Sequence, residues 1–190
     1  FLVPIFGVVL LHERLSPLGI AGIIFVIVGI YAIHLRSFSL RAIREPLEGI
    51  RNNASIWALL TGCTIAGYSL VDKVGVKAVH PPVYIYLMFV IALFLMTPYV
   101  WVKERLALKS EWHLNKLPIL VVGLLDLFTY LLILFALQIS KVSYVAAARE
   151  VSIVFSALFG IIWLGESHRR QRLIGSILIA LGVAFIGLSG

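Results

Sequence analysis

Five side chains able to bind or exchange charge stand inside runs apolar enough to lie in lipid: Tyr68, Asp126, Tyr130, Arg149 and Glu150. Ionisable groups at membrane depth are costly and mark candidate functional positions. Asp126 falls nine residues after Leu117, about 14 Å along a helix at 1.5 Å per residue and near the bilayer centre. Tyr130 follows one turn later on the same face. A carboxyl there can take up a proton or pair with an amine; held by a neighbouring helix, it is an interior structural group instead. Arg149 and Glu150 lie about 13–15 Å beyond the turn at Ser140. Arg149 suits an anion clamp, or a structural pair with Glu150 or another helix. Asp126 and Arg149 differ in depth by roughly 8 Å, and helical side chains lean toward their own N-termini. A direct salt bridge between them is therefore not expected; a water or a substrate group would have to bridge them.

Other polar residues read more simply. Asp72 and Lys73 end a span and are expected at headgroup level, with Tyr68 on the same face one turn earlier. Trp57, Tyr99, Trp101 and Trp163 sit near span ends, as interfacial anchors do. Glu13 and Glu166 each precede a helix, whose dipole favours a carboxylate at that end. No catalytic residues are assigned. Gly187-Leu188-Ser189-Gly190 has the GxSG spacing of rhomboid proteases but no later helix to supply a histidine. HExxH, phosphate-cradling loops and Cys/His clusters are absent. Cys63 is the single cysteine. Neither a metal nor a cofactor is expected.

The elements that must position these groups follow from composition. Of 190 residues, 61% are hydrophobic and 13% charged, with a mean hydropathy of +1.04. Soluble domains average about 45–50% apolar and about 25% charged, so lipid is the solvent for most of this surface. The formal charge of +7 is spread in short clusters between apolar runs, which suits headgroups and speaks against nucleic acid. Crossing about 30 Å of hydrocarbon takes roughly 20 helical residues. Stretches 16–35, 55–75, 82–102, 117–138, 143–164 and 170–189 meet that length, and residues 1–11 look like the end of a seventh. Ser16-Pro17 predicts an N-cap followed by proline at the first helical position; Pro82 and Pro118 mark similar starts. Pro98 predicts a kink. The basic stretch from Arg36 to Ala54, with Glu45-Pro46 inside it, reads as a linker.

An internal repeat orders these helices. With Glu13 on Glu166, an ungapped offset of 153, Gly7 falls on Gly160, Gly22 on Gly175 and Gly29 on Gly182. Helix 170–189 is the fifth span after helix 16–35, and five crossings reverse direction. The two copies therefore run oppositely, an inverted repeat of the kind found in secondary transporters. Gly22, Gly29, Gly175 and Gly182, seven apart within each pair, are expected to let helices approach closely.

The pattern Leu164-Gly165-Glu166, Gly175, Gly182, its earlier copy at Glu13, Gly22 and Gly29, and Ala136-Leu137-Gln138 resemble the EamA family of the drug/metabolite transporter (DMT) superfamily. Gly67-Tyr68-Ser69-Leu70-Val71-Asp72-Lys73 and Ala148-Arg149-Glu150-Val151-Ser152 are similar to motifs of one subgroup. The first copy departs at His12, where the second has Gly165. The resemblance implies an all-α polytopic bundle built as an inverted repeat of five-helix units, here six full spans and a partial one. Residues 1–36 would end the first unit, with the last part of its helix 4 and its helix 5; 37–54 would link; 55–190 would form the second. The opening at Phe1 inside an apolar run reads as a chain lacking its first helices.

The resulting expectation is a multi-pass transporter, not an enzyme, in a bacterial inner membrane. It would move a metabolite, amino acid or drug-like solute by alternating access, with proton coupling open. Its partners would be the bilayer, the solute and the missing N-terminal helices; oligomeric state is open. The alternative is a scaffold whose buried charges only fix helix register. Orientation is also open. Eleven basic residues lie on the linker's side of the membrane against four opposite, which puts the linker in the cytoplasm, whereas ten spans with cytoplasmic ends imply the reverse.

Overall fold

The computed structural model describes residues 2–34, 53–163 and 169–189. Glu166 with its Leu164-Gly165 neighbours, residues 37–52 of the expected linker, and Gly190 lie outside them. Among the described residues eight helices occur in chain order: α1 (Leu2–Leu11), α2 (Pro17–His34), α3 (Asn53–Ala78), α4 (Pro81–Lys103), α5 (Arg105–Ile139), α6 (Val142–Arg149), α7 (Val151–Ile162) and α8 (Arg169–Leu188). No strand occurs among the described residues. The protein is an all-α polytopic membrane protein. Among the described residues four stretches are long and apolar enough to span a bilayer: Pro81–Lys103, Arg105–Ile139, Val142–Ile162 and Arg170–Leu188. Leu2–Leu11 and Pro17–Ile33 are apolar but shorter, and the 26-residue α3 carries Asp72, Lys73 and Lys77 near its end.

Local chemistry explains the helix boundaries. The Ser16 hydroxyl accepts a hydrogen bond from the Gly19 N–H at 3.0 Å, capping α2 ahead of Pro17. Helix α4 begins with Pro81 and Pro82 after His80 and continues through Pro98 to Lys103. Thirty-five residues make α5 about 52 Å long, more than the hydrocarbon needs. Its backbone leaves helical geometry at Asn115 (φ −127°, ψ 24°), three residues before Pro118. Proline lacks an N–H and crowds the carbonyl four residues back, so a break is expected there. The span expected over 143–164 is also divided: α6 ends at Arg149, and α7 starts at Val151.

The described helices form two compact units, one joining residues 1–70 to 140–190 and the other covering 71–139. This grouping joins the two ends of the chain.

The first unit is built around α2 and α8. A β-carbon on Gly22 would lie 2.6 Å from the Gly182 carbonyl oxygen, and one on Gly29 would lie 2.7 Å from that of Gly175. A low residue number on α2 thus meets a high one on α8, so the helices run antiparallel. The contacts are reciprocal under the 153-residue offset, which turns Gly22–Gly182 into Gly175–Gly29. Gly22 likewise meets Ile186 where Gly175 meets Ile33. The crossing has approximate two-fold symmetry. Because the neighbours are backbone atoms, they cannot step aside for a side chain. Phe25 and Phe185 meet edge to face beside it, with ring centroids 5.4 Å apart. In lipid, where apolar transfer gives no drive for helices to associate, such close packing holds them together.

Large apolar side chains cover the outside. Leu93, Phe94 and Leu95 are successive and all exposed, as befits a helix surrounded by acyl chains or by further helices.

Candidate functional site

Three carboxylates turn toward protein, each in a different setting. Glu13, in the turn between α1 and α2, reaches the N-terminus of α6. It accepts hydrogen bonds from the Val142 N–H (2.6 Å), the Ser143 N–H (3.2 Å) and the Ser143 hydroxyl (2.6 Å). The first N–H groups of a helix lack intrahelical partners, and the dipole favours an anion there. The sequence reading gave Glu13 to the dipole of the following helix, α2; its partner is α6 instead. Gly7 makes the room, since a β-carbon there would sit 2.7 Å from the Ser143 hydroxyl and 2.9 Å from Glu13 Oε2. Tyr144, on the same turn of α6, receives the Ser16 N–H on its hydroxyl at 3.0 Å. His12 has a left-handed backbone, φ 52°, a conformation that glycine adopts without steric cost. In the sequence, Gly165 stands at the matching position of the repeat.

The second carboxylate, Asp72, lies in the other unit. It is 4% exposed and its neighbour Lys73 7%, so these charges turn into protein and not outward from a helix end. Asp72 accepts hydrogen bonds from Tyr84 on α4 (2.9 Å) and from Tyr130 on α5. Lys73 donates to the Leu137 carbonyl at 2.5 Å, one of the last four carbonyls of α5, which have no partner within their own helix. A cation there also suits the helix dipole. Gly75 leaves space for the Tyr84 ring: a β-carbon would lie 2.8 Å from Cζ and 3.0 Å from Cδ2. One acid thus ties the end of α3 to α4 and α5.

Glu150 is the third. It sits at the junction of α6 and α7, half-buried, and lines a cavity of about 80 Å³ within the first unit. The other walls are apolar, with Val3 from α1, Ile23, Ile27 and Ile30 from α2, and Ala147 from α6. Among the described residues none donates a hydrogen bond to its carboxylate. Among the described residues of that wall Glu150 is the single polar side chain, and the neighbouring Arg149 charge acts on its carboxylate.

The structure therefore brings some of the expected residues together and leaves others apart. Tyr130 turns to Asp72, which the sequence reading did not select, and not to Asp126. Asp126 occupies an exposed stretch of α5. Arg149 is exposed beside the half-buried Glu150, and Tyr68 is exposed on α3. Asp126 and Tyr130 belong to one unit, Tyr68, Arg149 and Glu150 to the other. Sequence reasoning missed Tyr84, although a signal existed. Asp72 and Tyr84 lie six residues either side of Ala78, where α3 ends, so a tight hairpin sets them at matching depth. Among the described residues no three His, Cys, Asp or Glu side chains gather to hold a metal.

No curated protein and no solved structure matches the chain. A family model described as "EamA-like transporter family" matches residues 52–188, which include α3 to α8 from Asn53 and thus both Asp72 and Glu150. With more than two thirds of its residues inside that match and a helical membrane fold, the chain belongs to the EamA-like transporter family of the DMT superfamily.

Proposed function

We propose that this protein moves a small solute across the bacterial inner membrane by alternating access, with Glu150 and its cavity on the solute's path. The observation that carries this reading is the Glu150 carboxylate, which lines a hollow and accepts no hydrogen bond from the described residues. A group so costly to bury is hard to explain by packing alone. Asp126 and Tyr130 are proposed for the same route: a carboxylate in mid-span that met only acyl chains would be expensive, so that face of α5 turns toward water or toward further helices of the same protein. Arg149 is proposed as an anion clamp, and Tyr68 as a lining group. The exposed apolar faces suit additional helices, in keeping with residues 2–34 as the end of one five-helix unit and residues 55–190 as the next. The reciprocal glycine crossing supports that arrangement and supplies a close contact about which two halves can rock.

One observation favours a scaffold instead. Asp72 and Lys73 are held by protein groups, as charges that only fix helix register would be. The full-length protein decides between the two. A metabolite-panel melt in detergent, followed by counterflow of the stabilising solute in vesicles, should give flux that falls when Glu150 or Asp126 is substituted. A scaffold would respond to no solute and show no flux.

A further inference from the structure

We propose that the first part of α5, Arg105–Leu114, is a docking surface for the headgroup of an anionic phospholipid. Length places it at the membrane surface. The 23 residues of α4 reach about 34 Å at 1.5 Å per residue, enough for about 30 Å of hydrocarbon. The stretch from Leu117 to Ile139 reaches equally far, so Arg105–Leu114 is surplus to both spans. The non-helical backbone at Asn115 divides it from the apolar remainder of α5. Aromatic rings mark the same level. Tyr99 and Trp101 close α4, Trp112 stands on the surplus turns, and all three are exposed, as rings at a headgroup boundary are.

Charge is sorted on this short helix. Arg105, Lys109 and Trp112 recur at spacings of four and three, which sets them on one face, whereas Glu111 falls about 120° round from Arg105. The Glu111 carboxylate accepts a hydrogen bond from the Asn115 amide at 2.8 Å. Among the described residues no carboxylate is in ion-pair contact with Arg105 or Lys109. The Arg105 guanidinium lies over the Trp101 ring, 4.7 Å from its centroid, a contact that steadies the group and suits a planar fork that binds phosphate oxygens through its edge. Lys116, just past the break, is a further exposed cation. Leu106, Leu108 and Leu114 leave the same helix exposed, Leu106 by 85%. A phospholipid meets both needs, with phosphate for the cations and acyl chains for the leucines. Anionic lipid is favoured over zwitterionic, since a choline would set its own cation beside Arg105 and Lys109, and each Lys or Arg is drawn to an anionic surface.

The test is the melting temperature of the full-length protein in delipidated maltoside micelles. Short-chain phosphatidylglycerol, short-chain phosphatidylcholine and glycerol 1-phosphate are each titrated. Phosphatidylglycerol should raise the melting temperature saturably, and the other two should not. Arg105→Gln and Lys109→Gln should each raise the half-saturating concentration about fivefold, and together roughly thirtyfold. Exchanging the cations, Arg105→Lys with Lys109→Arg, should preserve most of the response. Lys77→Gln, an equal loss of charge at the end of α3, should leave it unchanged. Equal stabilisation by phosphatidylcholine would reduce the surface to a general lipid contact, and an equal response to glycerol 1-phosphate would make it a site for soluble anions. Either result overturns the proposal. So would an undiminished response in the double glutamine variant, the same loss from Lys77→Gln, or no response to any probe, as when other helices of the protein cover this stretch.

Discussion

Glu13 and Glu150 meet opposite ends of one short helix and belong to one compact unit, yet they live in different chemistry. Glu13 is filled by three donors from Val142 and Ser143. Glu150 faces aliphatic walls. The first carboxylate completes the N-terminus of α6 and leaves nothing for a ligand to satisfy. The second accepts no hydrogen bond from the described residues, and the charge of Arg149 acts on it. What separates the two is the inventory of donors around each, since both are acids flanked by apolar helices.

The sharpest way to break this contrast is to remove the structural acid. Glu13→Ala leaves two backbone N–H groups and a hydroxyl without their charged acceptor; each such loss costs about 1–3 kcal/mol. The melt in detergent should drop by the largest margin of any variant considered, and flux should fall only as the folded fraction falls. Gly182→Ala comes next. Its new methyl would sit 2.6 Å from the Gly22 carbonyl oxygen, and forced overpacking costs about 1–3 kcal/mol. Equal stability of the alanine variant would show that the α2–α8 crossing is looser than described. Tyr84→Phe removes one of the two phenol donors from Asp72, for about 1 kcal/mol; Gly75→Ala should act in the same direction by displacing the ring. If hydrogen exchange at the end of α3 is unaltered in both, the three-helix clasp fails. His12→Gly relieves a left-handed non-glycine residue, a conformation costing roughly 1–2 kcal/mol. The melt should rise modestly, less than that strain because glycine also loosens the unfolded chain. Smallest of all is the stability effect of Glu150→Gln, expected within about 0.5 kcal/mol of zero because no hydrogen bond from the described residues is lost.

The contrast also shows what the sequence could carry. Four of the six expected spans, 82–102, 117–138, 143–164 and 170–189, were legible because lipid demands long apolar runs, and Ser16-Pro17 and Pro118 marked real boundaries through capping and proline geometry. Direction around the helix was not legible. Asp72 looked like a headgroup-level charge because it lies near the end of its run, but its side chain is buried and shared between Tyr84 and Tyr130. Asp126, chosen for its expected depth, lies on an exposed stretch of α5. Glu13 was rightly linked to a helix dipole and wrongly to its own neighbour, because the partner is 129 residues away. The interruption at Glu150 had no local signal: neither proline nor glycine marks it, and its backbone stays near helical values (φ −67°, ψ −8°).

Stability and flux measured together on Glu13→Ala and Glu150→Gln test the account most directly, in one vesicle preparation of the full-length protein and with a solute found by the metabolite melt. The account predicts a divided outcome: Glu13→Ala melts lower but transports in proportion to the protein that remains folded, whereas Glu150→Gln melts like the parent and carries little solute. Parental flux from a folded Glu150→Gln protein would contradict it.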